Sequence, residues 1–178
     1  MESRMKTLRS VVEPSLLGGV DGLVTSFAIV ASSHYTSSPT TVVTVVGFSS
    51  LVADGMSMGI SQYLSASSEG RITDPTRPSP IVLGAACALS FVLFGSVPLV
   101  AFVVGDGSMA AAVCSTLLLL ALLGVLRVLP ASAHSTLKSM LRTCILGAVA
   151  GGLAYLVAAL TSDAVDDGSS ASEPLVCD

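Results

Sequence analysis

The chain has 178 residues, of which 52% are hydrophobic and only 11% are charged, and its mean hydropathy is +0.83. Because soluble domains carry about 25% charged residues, this composition excludes an ordinary globular domain and indicates a membrane protein. The net charge is −4 and the basic residues form no patch, so we expect no nucleic-acid partner.

The first third of the chain predicts two membrane-spanning helices that each carry an acid. Residues 15–35 and 40–66 combine apolar residues with Gly, Ser and Thr. Asp21 lies within the first stretch and Asp54 within the second. A short polar turn that ends at Pro39 separates them.

Three longer apolar runs follow, and each contains no charged residue. The uncharged windows measure 28, 20 and 20 residues. About 20 residues are needed to cross the hydrocarbon core at 1.5 Å per residue. The sequence therefore predicts further membrane-spanning helices over residues 81–104, 108–126 and 141–161.

The distribution of charge tests this count of five helices. Cytoplasmic loops concentrate Lys and Arg. With five spans, all eight basic residues fall on one side of the membrane: Arg4, Lys6, Arg9, Arg71, Arg77, Arg127, Lys138 and Arg142. We therefore expect an all-α, polytopic membrane protein whose N-terminal segment 1–14 is cytosolic. Residues 162–178 are acidic and rich in Ser, which predicts a disordered luminal tail.

The two acids lie on polar stripes of the first two helices. At about 100° per residue, Asp21 shares a stripe with Thr25, and Asp54 shares one with Met58. A carboxylate at the bilayer centre costs about 2.5–3.5 kcal/mol on insertion scales. The stripes must therefore face each other, another subunit or water.

Glycines at helical spacing predict close packing between helices. The pairs are Gly18 with Gly22, Gly55 with Gly59, and Gly147 with Gly151.

The side chains on the polar stripes are potential cation ligands. Carboxylate and hydroxyl oxygens suit hard divalent ions, and the thioether of Met58 adds a preference for softer transition metals. We interpret Asp21, Asp54 and Met58 as a weak site for a passing Fe²⁺ or Mn²⁺ ion, because a transported ion must also leave. The open alternative is structural, with Met58 as packing and Asp54 as a hydrogen-bonding anchor between helices.

Two motifs resemble the first two helices of the vacuolar iron transporter family. They are GGVDGLVTSFAIVAS at Gly18–Ser32 and VADGMSMGISQYLSASSE at Val52–Glu69. The family includes yeast-type calcium-sensitivity complementing carriers and plant nodulin-like members. The later run ALSFVLFGSVPLVAF at Ala88–Phe102 is similar to its third helix. The resemblance covers Leu17 to Leu160, although the last two helices match in character more than in motif.

The resemblance implies a five-helix homodimer in the membrane lipid, with an ion path at the dimer interface lined by Asp21 and Met58. It also implies exchange of cytosolic Fe²⁺, and often Mn²⁺, for protons from an acidic, vacuole-like compartment. We expect the metal to enter near Gln62 and Glu69, pass Asp54 and Met58, and reach Asp21, where a proton releases it. The metal is then a transported substrate, and no permanently bound cofactor is expected.

The chain departs from the family pattern in two places. Many members carry a glutamate-rich cytosolic metal-binding domain between the second and third helices, whereas residues 69–80 are too short and too rich in proline to fold one. Some relatives have a glutamate where this chain has Ser50, so Asp54 would supply the charge instead. A membrane scaffold or regulatory member without transport activity is therefore the alternative function.

An enzyme is not expected. Intramembrane aspartyl proteases place their aspartates in Tyr-Asp and Gly-x-Gly-Asp contexts, whereas the contexts here are Gly-Val-Asp-Gly and Val-Ala-Asp-Gly. The Gly-x-Ser-Gly motif of rhomboid-like serine proteases does not occur in the sequence.

Overall fold

The computed structural model describes residues 2–68, 78–126, 141, 145 and 147–161, and each secondary-structure element within these residues is a helix. In chain order the helices are α1 (Glu2–Tyr35), α2 (Thr40–Ser68), α3 (Pro80–Val104), α4 (Met109–Leu126) and α5 (Gly147–Thr161). Residues Ser10–Tyr35 of α1 and the whole of α2, α3 and α4 are long and apolar enough to cross a membrane, and α5 is a shorter apolar helix. The predicted all-α, polytopic membrane fold is confirmed.

The ends of α2, α3 and α4 lie close to the predicted ones because local signals fix them. Ser79 caps the start of α3, where its hydroxyl oxygen accepts a hydrogen bond from the amide of Val82 at 3.4 Å. Pro80 occupies the first helical position, which suits a residue without an N–H group. Asp106 and Gly107 adopt positive φ angles of 51° and 81° in the turn between α3 and α4.

The first helix is longer than predicted. It begins at Glu2 and continues through Pro14, whereas the sequence predicted a helix from residue 15. Proline inside a helix removes one backbone hydrogen bond. In the same turn the hydroxyl of Ser15 donates to the carbonyl of Val11 at 2.9 Å.

Helix α3 is the central packing element for α1 and α2. A Cβ atom on Gly18 or Gly22 of α1 would collide with the carbonyl oxygens of Cys87 and Phe91 in α3. The two backbones therefore approach as closely as only glycine permits. The glycine pair that predicted close packing of α1 has its partner in α3.

The same arrangement joins α2 to α3. A Cβ atom built on Gly84 would lie only 2.6 Å from the carbonyl oxygen of Gly59. The buried residues of α2 recur at helical spacing and include Gly47, Gly55 and Gly59. This glycine face packs on α3, so the opposite face of α2 points away from the subunit.

Helix α5 packs beside α1 and α4. Gly151 lies against the ring of Phe27, and Gly147 lies against the side chain of Leu120. The rings of Tyr35 and Tyr155 meet edge to face, with centroids 5.1 Å apart and planes at 81°. The last turn of α1 is thereby joined to α5.

Candidate functional site

The structure places the two membrane aspartates on neighbouring helices, within electrostatic range of each other. Asp21 of α1 and Asp54 of α2 are both exposed on the surface of the single chain. They lie close enough to interact through their charges. Because like charges repel, a cation or a proton is favoured beside this pair.

Packing against α3 fixes where these carboxylates point. Gly22 follows Asp21 and is buried against α3, and Gly55 follows Asp54 and is likewise buried. Neighbouring positions in a helix differ in direction by about 100°, so each aspartate lies at the edge of a buried glycine face. Rigid helix contacts, and not flexible loops, therefore hold the acids at the subunit surface.

All eight Lys and Arg side chains lie outside the residues whose side chains the structure describes. Within the described residues no group of three His, Cys, Asp or Glu side chains comes close enough to hold a metal ion. The binding of a metal at Asp21 and Asp54 stays a prediction.

Met58 lies one turn beyond Asp54 and is only partly exposed. It packs against the core cluster formed by Val30, Val43, Leu51, Phe91, Leu99, Phe102 and Ala112. This contact fits a packing role, and Met58 stays partly exposed. The geometry is compatible with both interpretations of Met58.

The remaining predicted site residues are spread along the same helices. Thr25 is half-buried one turn beyond Asp21, where it lines a cleft between α1 and α5. Gln62 is half-buried one turn beyond Met58. Glu69 lies outside the described residues. Their roles as ligands stay predictions.

Sequence reasoning missed a thiol near the acids. Cys87 of α3 is buried, lies within electrostatic range of Asp21 and contacts the backbone of Gly18. The sequence suggests only a small hydrophobic residue there, because no second Cys or His lies at ligand spacing. The contact between Gly18 and α3 brings it to the site, and the sequence does not specify which helix meets that glycine.

Comparison with known proteins identifies the relatives of this chain. The model of the VIT family matches residues 12–78 and 70–159. The protein called vacuolar iron transporter homolog 3 of Arabidopsis thaliana is 31% identical over 172 residues, covering 85% of this chain and 82% of the plant protein.

A vacuolar iron transporter of Toxoplasma gondii (strain ATCC 50861 / VEG) is 40% identical over 68 residues. That match covers 38% of this chain and 22% of the Toxoplasma protein. The chain therefore spans only a small part of this relative.

Proposed function

Since the chain belongs to the VIT family, we propose that it transports a divalent transition metal, with Fe²⁺ as the first candidate and Mn²⁺ as the second. The proposed direction is from the cytosol into an acidic, vacuole-like compartment, and protons move the opposite way. The names of the relatives from Toxoplasma and Arabidopsis support iron and the vacuole. This function is that of a carrier and not of an enzyme.

One observation carries the proposal. Two carboxylates, Asp21 and Asp54, lie on membrane-spanning helices within electrostatic range of each other. A charged carboxylate within a membrane-spanning segment is costly in free energy when no opposite charge accompanies it. A bound cation or proton removes most of that cost. A site that can hold either species, but only weakly, is what exchange transport requires.

The proposed path follows the helices. A metal from the cytosol meets Gln62 near the end of α2, passes Met58 and Asp54, and reaches Asp21 on α1. A proton from the acidic compartment then neutralises Asp21, and the metal leaves. The metal moves along the charged stripes without a change in its oxidation state.

A homodimer completes the proposal. Asp21 and Asp54 are exposed on a single chain, and lipid cannot satisfy an exposed carboxylate. A second copy packed over this surface would remove the acids from lipid and would supply a second pair of carboxylates. The proposed domain layout is a cytosolic segment 1–14, a transmembrane unit 15–161 and a luminal tail 162–178.

Metal uptake into proteoliposomes tests the function. The full chain is reconstituted, the vesicle interior is made acidic, and uptake of Fe²⁺ is measured in competition with Mn²⁺ and Zn²⁺. We expect uptake that rises with the pH gradient and collapses with a protonophore. Uptake no greater than that of empty vesicles would favour a scaffold without transport activity.

A further inference from the structure

A cleft of about 600 Å³ separates α1 from α5. Its α1 wall carries Thr25, Ser32 and Thr36, and its α5 wall carries Val157 and Thr161. One wall is therefore rich in hydroxyl groups, and the other is mostly apolar. Since α1 and α5 both belong to one subunit, this cleft does not depend on a second copy.

The cleft continues the stripe that begins at Asp21. Thr25, Ser32 and Thr36 lie four, eleven and fifteen residues after Asp21. At about 100° per residue, these spacings place all four positions on one face of α1 and of the turn that continues it. The cleft begins one turn beyond the aspartate and extends to the end of the helix. In the proposed orientation this end is the luminal one.

The hydroxyl groups in the cleft present acceptor oxygens. Ser32 donates its proton to the carbonyl of Ile29 at 3.0 Å. The Thr36 hydroxyl lies 2.8 Å from that of Ser38 and 3.2 Å from the carbonyl of Ser32. On the opposite wall Thr161 donates to the carbonyl of Val157 at 2.8 Å. Because helix carbonyls take the protons of Ser32 and Thr161, the lone pairs of these two oxygens stay available to the cleft. Neutral oxygens of this kind suit a hydrated divalent cation.

From this geometry we propose that the cleft between α1 and α5 is a second, weaker cation site, which receives the hydrated metal from Asp21 and conducts it to the end of α1. The apolar wall offers few ligands, so the ion is held by one row of neutral oxygens and its own water. Weak binding of this kind favours release over retention. The direction of flow rests on the proposed function, whereas occupancy of the cleft by a cation does not.

Cysteine labelling tests whether water and a cation enter the cleft. Ser32→Cys is placed in the otherwise unchanged full chain, reconstituted in lipid vesicles, and treated on both membrane faces with a cationic, water-soluble thiol reagent. Labelling at position 32 is read by peptide mass mapping, with and without Mn²⁺. Mn²⁺ is the probe because it binds thiolates less strongly than softer metals do.

Ser96→Cys is the matched control. Ser96 is a half-buried serine of α3 whose hydroxyl donates to a carbonyl three residues earlier at 2.8 Å, as that of Ser32 does, but it does not line the cleft. The native Cys114, which is exposed on α4, serves as an internal reference. A thiol in lipid stays protonated and reacts slowly.

We expect the S32C variant to be labelled at least about tenfold faster than the S96C variant or Cys114, since only the thiolate in water reacts. Mn²⁺ at about ten times its Kd should slow that labelling about tenfold. Thr36→Cys, just beyond the end of α1, should show the same protection and serves if the first variant folds poorly. Labelling as slow as at Cys114, as expected of a cleft filled by lipid, would overturn the inference. Labelling that Mn²⁺ leaves unchanged would do the same.

The result can be separated from the proposed function. Protection by Mn²⁺ in vesicles whose wild-type chain takes up no metal would support the cation site and contradict transport. Metal uptake by the wild-type chain without any protection at position 32 would support transport and would contradict an exit of the metal through the cleft.

Discussion

At the residue scale, the central feature is a pair of acids on membrane-spanning helices that interact with each other through their charges. Asp21 and Asp54 repel when both are charged, and a single chain leaves them exposed. Removing such groups from water is costly unless an opposite charge accompanies them. In the proposed function a mobile cation or proton accompanies this pair.

Met58 is predicted to set the metal preference. Met58→Leu removes the thioether and keeps a similar volume, so its cost in stability should stay below about 1.5 kcal/mol. We expect the preference for Fe²⁺ over Ca²⁺ to fall roughly fivefold, since the soft ligand is lost. The preference is measured by competition in the proteoliposome uptake assay.

Met56→Leu is the control for this change. Met56 is 59% exposed on a different face of α2, so its replacement should leave the preference unchanged. If the two variants behave alike, Met58 is only a packing residue.

At the element scale, α3 sets the positions of the two stripes. Gly22 meets the carbonyl of Phe91, and Gly59 meets Gly84. Because these are contacts between backbones, α1 and α2 cannot shift along α3 without a clash. The separation between Asp21 and Asp54 is therefore fixed by a helix that carries neither acid.

Gly22→Ala is predicted to destabilise the fold. The added methyl group meets the carbonyl of Phe91, and overpacking of this kind costs about 1–3 kcal/mol. The thermal unfolding midpoint in detergent micelles, followed by circular dichroism, should fall accordingly.

Gly152→Ala is the matched control in α5. A Cβ atom there meets nothing within 4 Å, so its unfolding midpoint should stay the same or rise slightly, because alanine is the better helix former. Equal decreases of the unfolding midpoint in the two variants would show that the close contact between α1 and α3 does not cause the loss of stability.

The helices were largely predictable from the sequence, and their partners were not. Charge-free windows and turn residues such as Ser79 and Pro80 mark helix ends locally. The start of α1 at Glu2 was not predicted, because the sequence does not show that the helix continues through Pro14. The stripes that carry Asp21 and Asp54 follow from periodicity alone. The position of Cys87 beside Asp21, and the cleft between α1 and α5, depend on contacts between distant segments that periodicity does not encode.

At the scale of the whole molecule, the surface that carries the acids is predicted to be an interface between two copies. We expect the purified protein in detergent to have twice the 17.9 kDa mass of one chain, as measured by light scattering corrected for detergent. A monomer that still takes up metal would contradict the proposed dimer but not the carrier. If replacement of exposed α2 residues abolishes both the dimer and metal uptake, the result would support the dependence of uptake on the dimer.

The most direct test of the account is proton movement driven by metal in vesicles that contain the Asp21→Asn variant. Asp106→Asn is the control, since Asp106 is exposed in the turn between α3 and α4 and asparagine tolerates its positive φ angle. We predict that Fe²⁺ drives proton efflux from acidic vesicles with the wild-type chain and the D106N variant. In the D21N variant the flux should fall at least about tenfold, equivalent to about 1.4 kcal/mol or more. Wild-type flux in the D21N variant would contradict the claim that this carboxylate carries metal and proton in turn.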